Sequence, residues 1–503
     1  MGLTRICWIL ALGAATAAAA DWPQFGQDAA HSGTNPAETT LNAGNVAHLA
    51  PVYAGGIRLP AIVDGAVVFL GAGADDPGGH PWLFALGGDN LHDGRTTRWT
   101  LFAIDAATGK IVWSKTTAGG SGHASSSPAI DPGRQFVYAA GLDGRVHKYH
   151  IVDGAEITAG GWPLRVSRKP DVEKIASGLT LATAGGVARL YAVTDGYFGD
   201  GGDYQGHVVT VDLATGARRV FNAMCANLTV EFGSGDCAGR MGGIWGRGGA
   251  TFDIATGRVY VATGNGVFDA DRGGHDYGDS VLALNPDGTG AHGGPIDSYT
   301  PAEHERLRDT DADLGSVSPM VLPAPAGSIV RHPGLIVGKD GVLRLLNLDD
   351  LSGAGGPGHV GGELQRLPLP QGACRMHHQP AVWQDPSGRT FVLAGNDCGL
   401  AAFTLALDAA SRPELRVAWR APQAASSPAV AAGVVYTFGA SARGDGDRLV
   451  ARDAGSGKEL WASPPLGPRH WQSPIIADGA VYVVDGTSTL WAFGLPVPLQ
   501  PSA

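Results

Sequence analysis

The stretch LFAIDAATGKIVWS at residues 101–114 returns as LVARDAGSGKELWA at 449–462. A recurring segment is a structural unit that buries its apolar face only against its neighbours, so the repeat constrains the fold more than any single motif. Strand-like runs opening on Pro, Gly or Ser-Pro recur from Leu59, Ser127, Gly178, Gly248, Ser318, Gln379, Ser427 and Ser473, eight in all. Their spacing is 46 to 71 residues, measured from Pro428 to Pro474 and from Gly178 to Gly249.

Each unit holds an apolar run, a Gly or Asp-Gly turn, a second β-rich run and a third such as LFAID, VVTVD or LVARD. The Asp-x-x-[Thr/Ser]-Gly step that follows suits a tight hairpin, because Asp accepts from turn amides and Gly takes the left-handed conformation. Val112 and Trp113, or Leu460 and Trp461, then enter a fourth strand. Four antiparallel strands repeated eight times predict an all-β fold, an eight-bladed β-propeller whose closure removes open sheet edges. The last unit, Ser473 to Leu495, supplies only three strands. The segment His48–Gly56 is predicted to complete it, so that the N-terminal segment closes the last blade.

The remaining composition fits this reading. Glycine takes 77 of 503 positions, which suits a chain of many turns. Residues 1–20 read as a secretory signal, with Arg5, a short apolar stretch and Ala18 and Ala20 suited to processing near Asp21. The propeller is expected over residues 21–495 with a C-terminal tail at 496–503, in a periplasmic or secreted protein. No later segment is apolar enough to cross a bilayer. The net charge of -11, with no basic cluster of the kind that neutralises phosphates evident in the sequence, argues against nucleic acid as a partner. Of five cysteines, Cys7 lies in the signal, leaving Cys225, Cys237, Cys374 and Cys398. None lies in C-x-x-C-H, so no covalent haem is expected. Cys374 enters an innermost strand and Cys398 follows the second strand of the same unit, which predicts their pairing and leaves Cys225 for Cys237.

AIDAATGKIVW and ARDAGSGKELW resemble the pyrroloquinoline-quinone (PQQ) repeat, and DWPQFGQDAAHSGTN resembles the segment that opens many exported proteins of that superfamily. Such propellers include quinoprotein dehydrogenases and noncatalytic scaffolds, so the fold leaves the function open.

Loops that enter the innermost strands, and loops that join second to third strands, leave a propeller from one face. On that face the sequence places His123, Lys174, Arg240, Trp245, Arg247, Asp313, His377, His378, Arg469, His470 and Trp471. Cations, imidazoles and indoles around one mouth predict a ligand that is anionic or carbonyl-bearing. The resemblance implies PQQ with calcium as cofactors. Trp245 or Trp471 is then the platform for the quinone, Arg247 or Arg469 the partner of its carboxylates, and Asp313 the base. The adjacent cysteine pair of large quinoprotein dehydrogenases is missing. Asp269, Asp271, Asp276 and Asp279 form an acidic loop whose spacing is not that of an EF-hand. Two functions stay open: a quinoprotein-like oxidoreductase acting on an alcohol or sugar, and a periplasmic scaffold holding a protein or glycan on the loop-rich face.

Overall fold

The computed structural model describes residues 20–73, 78–89, 97–119, 125–197, 200–440, 444 and 446–496. The expected signal segment, apart from Ala20, and His123 lie outside the described residues, as does all but the first residue of the tail.

Eight antiparallel sheets follow one another along the chain, each a blade of four strands ordered from the inside outward. Blade 1 comprises Val68–Leu70, Trp82–Gly88, Arg98–Asp105 and Lys110–Ala118. Blade 7 comprises Ala429–Ala431, Val434–Ala440, Asp447–Asp453 and Glu459–Ala462. The two recurring stretches are thus the outer strand pairs of blades 1 and 7. Blade 8 has three strands of its own, and its outer position is filled from the N-terminal side. Ala50 and Pro51 pair with Gly494 and Phe493, and Ile57 and Arg58 pair with Leu490 and Thr489.

The repeated turn shows why its residues recur. Asp105 accepts from the amides of Ala107 (2.8 Å) and Thr108 (3.3 Å) and from the Thr108 hydroxyl (2.7 Å). Gly109 then closes the hairpin at φ 72°, where a side chain would be strained. The outer-strand aromatic of one blade docks on this turn of the next. Trp113 donates its indole N–H to Ile151 O at 2.7 Å and lies against Gly154, where a Cβ would come within 2.7 Å of the indole. Trp419 repeats the arrangement on Ala454 O (3.0 Å) and Gly457. At the ring's seam Tyr53 takes the same part, donating to Ala106 O (2.5 Å) of blade 1.

Residues 21–36 carry no period, and they build the second closure: they thread the middle of the ring and bond to the innermost strands of seven of the eight blades. Trp22 pairs with Phe69 of blade 1, and Pro23 O accepts from Ile130 of blade 2 at 2.8 Å. The Gln24 carboxamide oxygen accepts from Leu181 N of blade 3 at 2.7 Å. Ala29 O accepts from Phe252 of blade 4 and Ser32 O from Val382 of blade 6, both at 2.8 Å. Asn35 donates its amide to Val430 O of blade 7 and its side-chain NH2 to Ile476 O of blade 8, both at 2.9 Å. These bonds satisfy inner-edge backbone groups that would otherwise face the channel unpaired.

Both expected disulfides are present, Cys225–Cys237 and Cys374–Cys398, with Cα–Cα distances of 6.1 and 5.7 Å.

Candidate functional site

The entry loops and the second-to-third-strand loops do meet on one face, around a cavity of about 580 Å³. Of the residues expected from the sequence, Trp245, Arg247, Asp313, His377, His470 and Trp471 line it, as does Lys174. Three others stand elsewhere. Arg240 is exposed and donates to Gly202 O. His378 is buried behind the wall, with Nε2 2.6 Å from an Arg469 guanidinium nitrogen. Arg469 also bonds Asp397 at 2.5 Å, so these three side chains fasten the loops of blades 6 and 8 rather than face the cavity.

The aromatic wall is continuous. The His377 ring stacks on Trp471 at 5.0 Å and 18°, and meets Trp245 edge-on at 5.4 Å. Burial, helped by the neighbouring His378 and Lys339, pushes His377 down to about 3, so its ring is neutral at pH 7. Arg247 lies beneath, its guanidinium 5.6 Å from the Phe25 ring of the central segment and 5.7 Å from that of Trp471. It is 4% exposed and donates only to backbone oxygens, Ser125 O at 3.2 Å and Asp64 O at 3.1 Å. Its Nε–H has no acceptor. Burial brings Arg247 down to about 10, still protonated at neutral pH. Arg247 is therefore a packing residue as well as a lining one, and joins the mouth to the central segment.

The mouth is less cationic than the sequence suggested, because the fold also delivers carboxylates. Asp195, Asp200, Asp311 and Asp313 share the lining with Lys174 and Lys339. Lys339, from the second-to-third-strand loop of blade 5, lies 2.7 Å from Asp311 and 2.9 Å from Asp313, and 5.0 Å from the Trp245 ring centre. Asp313 Oδ1 also accepts from Asn265 N at 3.1 Å. Burial raises Asp313 above the usual carboxylate range, and the Lys339 ammonium only partly offsets it. Asp195, 3.8 Å from Lys174, is pushed by burial up to about 6. Asp279, behind the wall, accepts from Leu314 N at 3.0 Å while its Oδ2 is unpartnered, and burial takes it up to about 8.

Lys339, Asp195, Asp200 and Asp311 were not singled out from the sequence. Lys339 sits in GKDG, and Asp195 and Asp200 in a Gly-rich loop, strings that also describe ordinary solvated turns. Only the rule that both loop sets share a face pointed to them.

The residues present fit a flat, polyanionic quinone. Trp245 and Trp471 present indoles to the cavity, and the buried Arg247 carries an unused donor. Calcium has less. Among the described residues no three His, Cys, Asp or Glu side chains cluster as a metal site. In the acidic loop, Asp269 accepts from Asp276 N at 2.9 Å, so its carboxylate serves the loop itself. Near the cavity the buried Asn265 Oδ1 has no donor, whereas Asp313 already gives one oxygen to Lys339 and the other to the Asn265 amide.

A family model described as outer membrane protein assembly factor BamB, built on the PQQ repeat, matches residues 70–277 and 404–494, more than half of the chain. Among solved structures the chain is similar to quinohemoprotein alcohol dehydrogenase from Comamonas testosteroni, at 17% identity and TM-score 0.61, over 97% of this chain and 83% of that one. Quinohemoprotein alcohol dehydrogenase ADHIIG from Pseudomonas putida HK5 is similar at 14% identity and TM-score 0.60, over 96% of this chain and 82% of that one. At such identities the likeness is one of fold. No curated protein sequence matches the chain.

Proposed function

Since the chain belongs to the PQQ-repeat propeller family described by BamB, we propose that it is an exported member which has kept a small-molecule pocket, and acts as a quinoprotein-like oxidoreductase on an alcohol or sugar. The observation that carries this reading is the juxtaposition, in one cavity, of the Trp245 indole with a buried Asp313 held by Lys339. A surface built only to hold a protein has no need of a desolvated carboxylate in a pocket.

In this reading Trp245 is the platform and Arg247, with its free Nε–H, pairs with a ligand carboxylate. A bound PQQ would take the hydride equivalent from the substrate carbon. Asp313 accepts the hydroxyl proton: removal from water raises its basicity, and the Lys339 ammonium 2.9 Å away favours its carboxylate form. Lys174 and Asp195, with Asp200, offer donors and acceptors to further hydroxyls of a sugar. Electrons leave to a separate carrier, as no haem attachment motif is present. The two disulfides support an oxidising, periplasmic or extracellular setting.

The test is titration of purified protein with PQQ and calcium, following quinone absorbance and tryptophan fluorescence, and then dye reduction with alcohols and aldoses. Saturable quenching that Trp245→Ala removes, with turnover that Asp313→Asn removes, is expected. The family model's description as an assembly factor favours one alternative, a scaffold that holds a periplasmic protein on the loop-rich face. Quenching that is absent in wild type, together with capture of a defined outer-membrane assembly component, would transfer the assignment to it.

A further inference from the structure

The sequence shows no basic cluster of the kind that neutralises phosphates, yet the fold brings arginines from two separate short stretches, 165–168 and 218–219, together away from the mouth. A cleft of about 460 Å³ lies where the outermost strand of blade 3, Arg218–Asn222, meets the outer strand Leu164–Arg165 of blade 2 and the loop carrying Glu231. Arg165, Arg168, Arg218 and Arg219 line it against a single lining carboxylate, that of Glu231. On a chain of net charge -11 this is a strong local reversal of sign.

Glu231 is 6% exposed and organises the cleft without neutralising it. Its two oxygens take one arginine each, Oε2 from Arg165 Nε at 2.8 Å and Oε1 facing Arg218 at 2.5 Å. Arg218 is steadied further by donating to Arg165 O at 2.7 Å. Arg168 has two long contacts, donating to the Glu231 backbone oxygen at 3.5 Å and lying 3.6 Å from the half-exposed Asp236, and among the described residues Arg219 has no carboxylate partner. The loop that supplies Glu231 is closed by Cys225–Cys237, so this wall is covalently braced. Two guanidiniums are therefore fixed by a buried anion, and two more face the same space with their donors largely unused.

We propose that this cleft is a binding site for a multiply charged oxyanion of phosphate- or sulfate-ester type. Guanidinium offers paired N–H donors that match such groups, and two under-used arginines beside two fixed ones suit a ligand with more than one negative charge. The site is independent of the pocket at the mouth.

The experiment is calorimetric titration at constant ionic strength with inorganic pyrophosphate and, separately, with a heparin-derived sulfated disaccharide; acetate is the monovalent control. Arg168→Gln/Arg219→Gln is the informative variant, because it leaves the Glu231 pairs intact and so should keep the fold, checked by an unchanged melting temperature. Arg389→Gln/Arg412→Gln removes two exposed arginines elsewhere. Wild type should bind at least one of the two probes saturably and acetate not at all. The cleft variant should lose about tenfold or more in affinity, and the remote variant should match wild type. The tighter probe then names the phosphate or sulfate source. No saturable binding of either probe up to about 10 mM, or equal binding by the cleft variant, overturns the proposal.

Discussion

Removing the Trp113 indole should cost the ring more than any change at its mouth. The side chain is only partly buried, but it joins blade 1 to blade 2 through one hydrogen bond and a contact with Tyr149 at a ring distance of 6.2 Å, while packing on Phe84 of its own blade at 5.9 Å. A partly exposed Trp buries about 150 Å². At about 25 cal/mol per Å² this is worth about 4 kcal/mol, of which an Ala methyl recovers a fraction. Loss of the N–H bond to Ile151 O adds about 1 kcal/mol. Trp113→Ala should therefore destabilise by about 3 to 5 kcal/mol. Trp113→Phe keeps most of the apolar area and loses the bond, and should fall between Ala and wild type. Val112→Ala, at a neighbour 48% exposed, should stay within about 0.5 kcal/mol. Urea unfolding followed by far-UV circular dichroism reads all three. If Trp113→Ala lies within about 1 kcal/mol of wild type, the aromatic on the turn is decoration and inter-blade docking is not what holds adjacent blades.

Arg247→Ala should lower the melting temperature clearly, through lost packing between Phe25 and Trp471, whereas His470→Ala should barely move it: the His470 side chain is 56% exposed and Gln472 still donates to Asp64 at 3.0 Å. Asp279, raised in the fold to about 8, binds its proton more tightly folded than unfolded. Its contribution is present below about pH 4 and lost as pH rises toward 8, so Asp279→Asn should flatten that part of the stability–pH curve and gain on wild type at pH 9. A wild-type curve without this decline would refute the assignment. Cys374→Ala/Cys398→Ala removes a cross-link between residues 24 apart, and should cost about 3 kcal/mol by chemical denaturation, with both thiols titratable only in reduced wild type.

The architecture was legible because its cause is local. Asp105, Thr108 and Gly109 form their turn with bonds among themselves, so the same letters had to return wherever the turn returns. The closing role of residues 48–56 and the Cys374–Cys398 pair followed from counting strands, and Cys225–Cys237 from elimination. The central segment was not legible, since Trp22, Gln24 and Asn35 alone are placed by partners in four different blades and share no period with them. The site was half legible for the same reason. Trp245 and Trp471 announce themselves by residue type, but Lys339 acquires its meaning only when blade 5 brings it against Asp313, and the arginines at 165–168 and 218–219 become one cluster only when blades 2 and 3 stand side by side.

The threaded segment also imposes an order on how the molecule is made. Its first strand contacts are with a blade completed early in synthesis, but Asn35 finds Ile476 only after almost the entire chain exists. A repeat array that touches only neighbours can grow and fray one unit at a time. Here the earliest residues wait for the latest, and contacts spanning 441 positions make the final step slow and collective. Until that step the inner strand edges are open, and the nascent protein is a row of blades rather than a ring. Completion is therefore a single late event, and a chain truncated before blade 8 should be sticky and protease-sensitive along its whole length, not merely short of one blade.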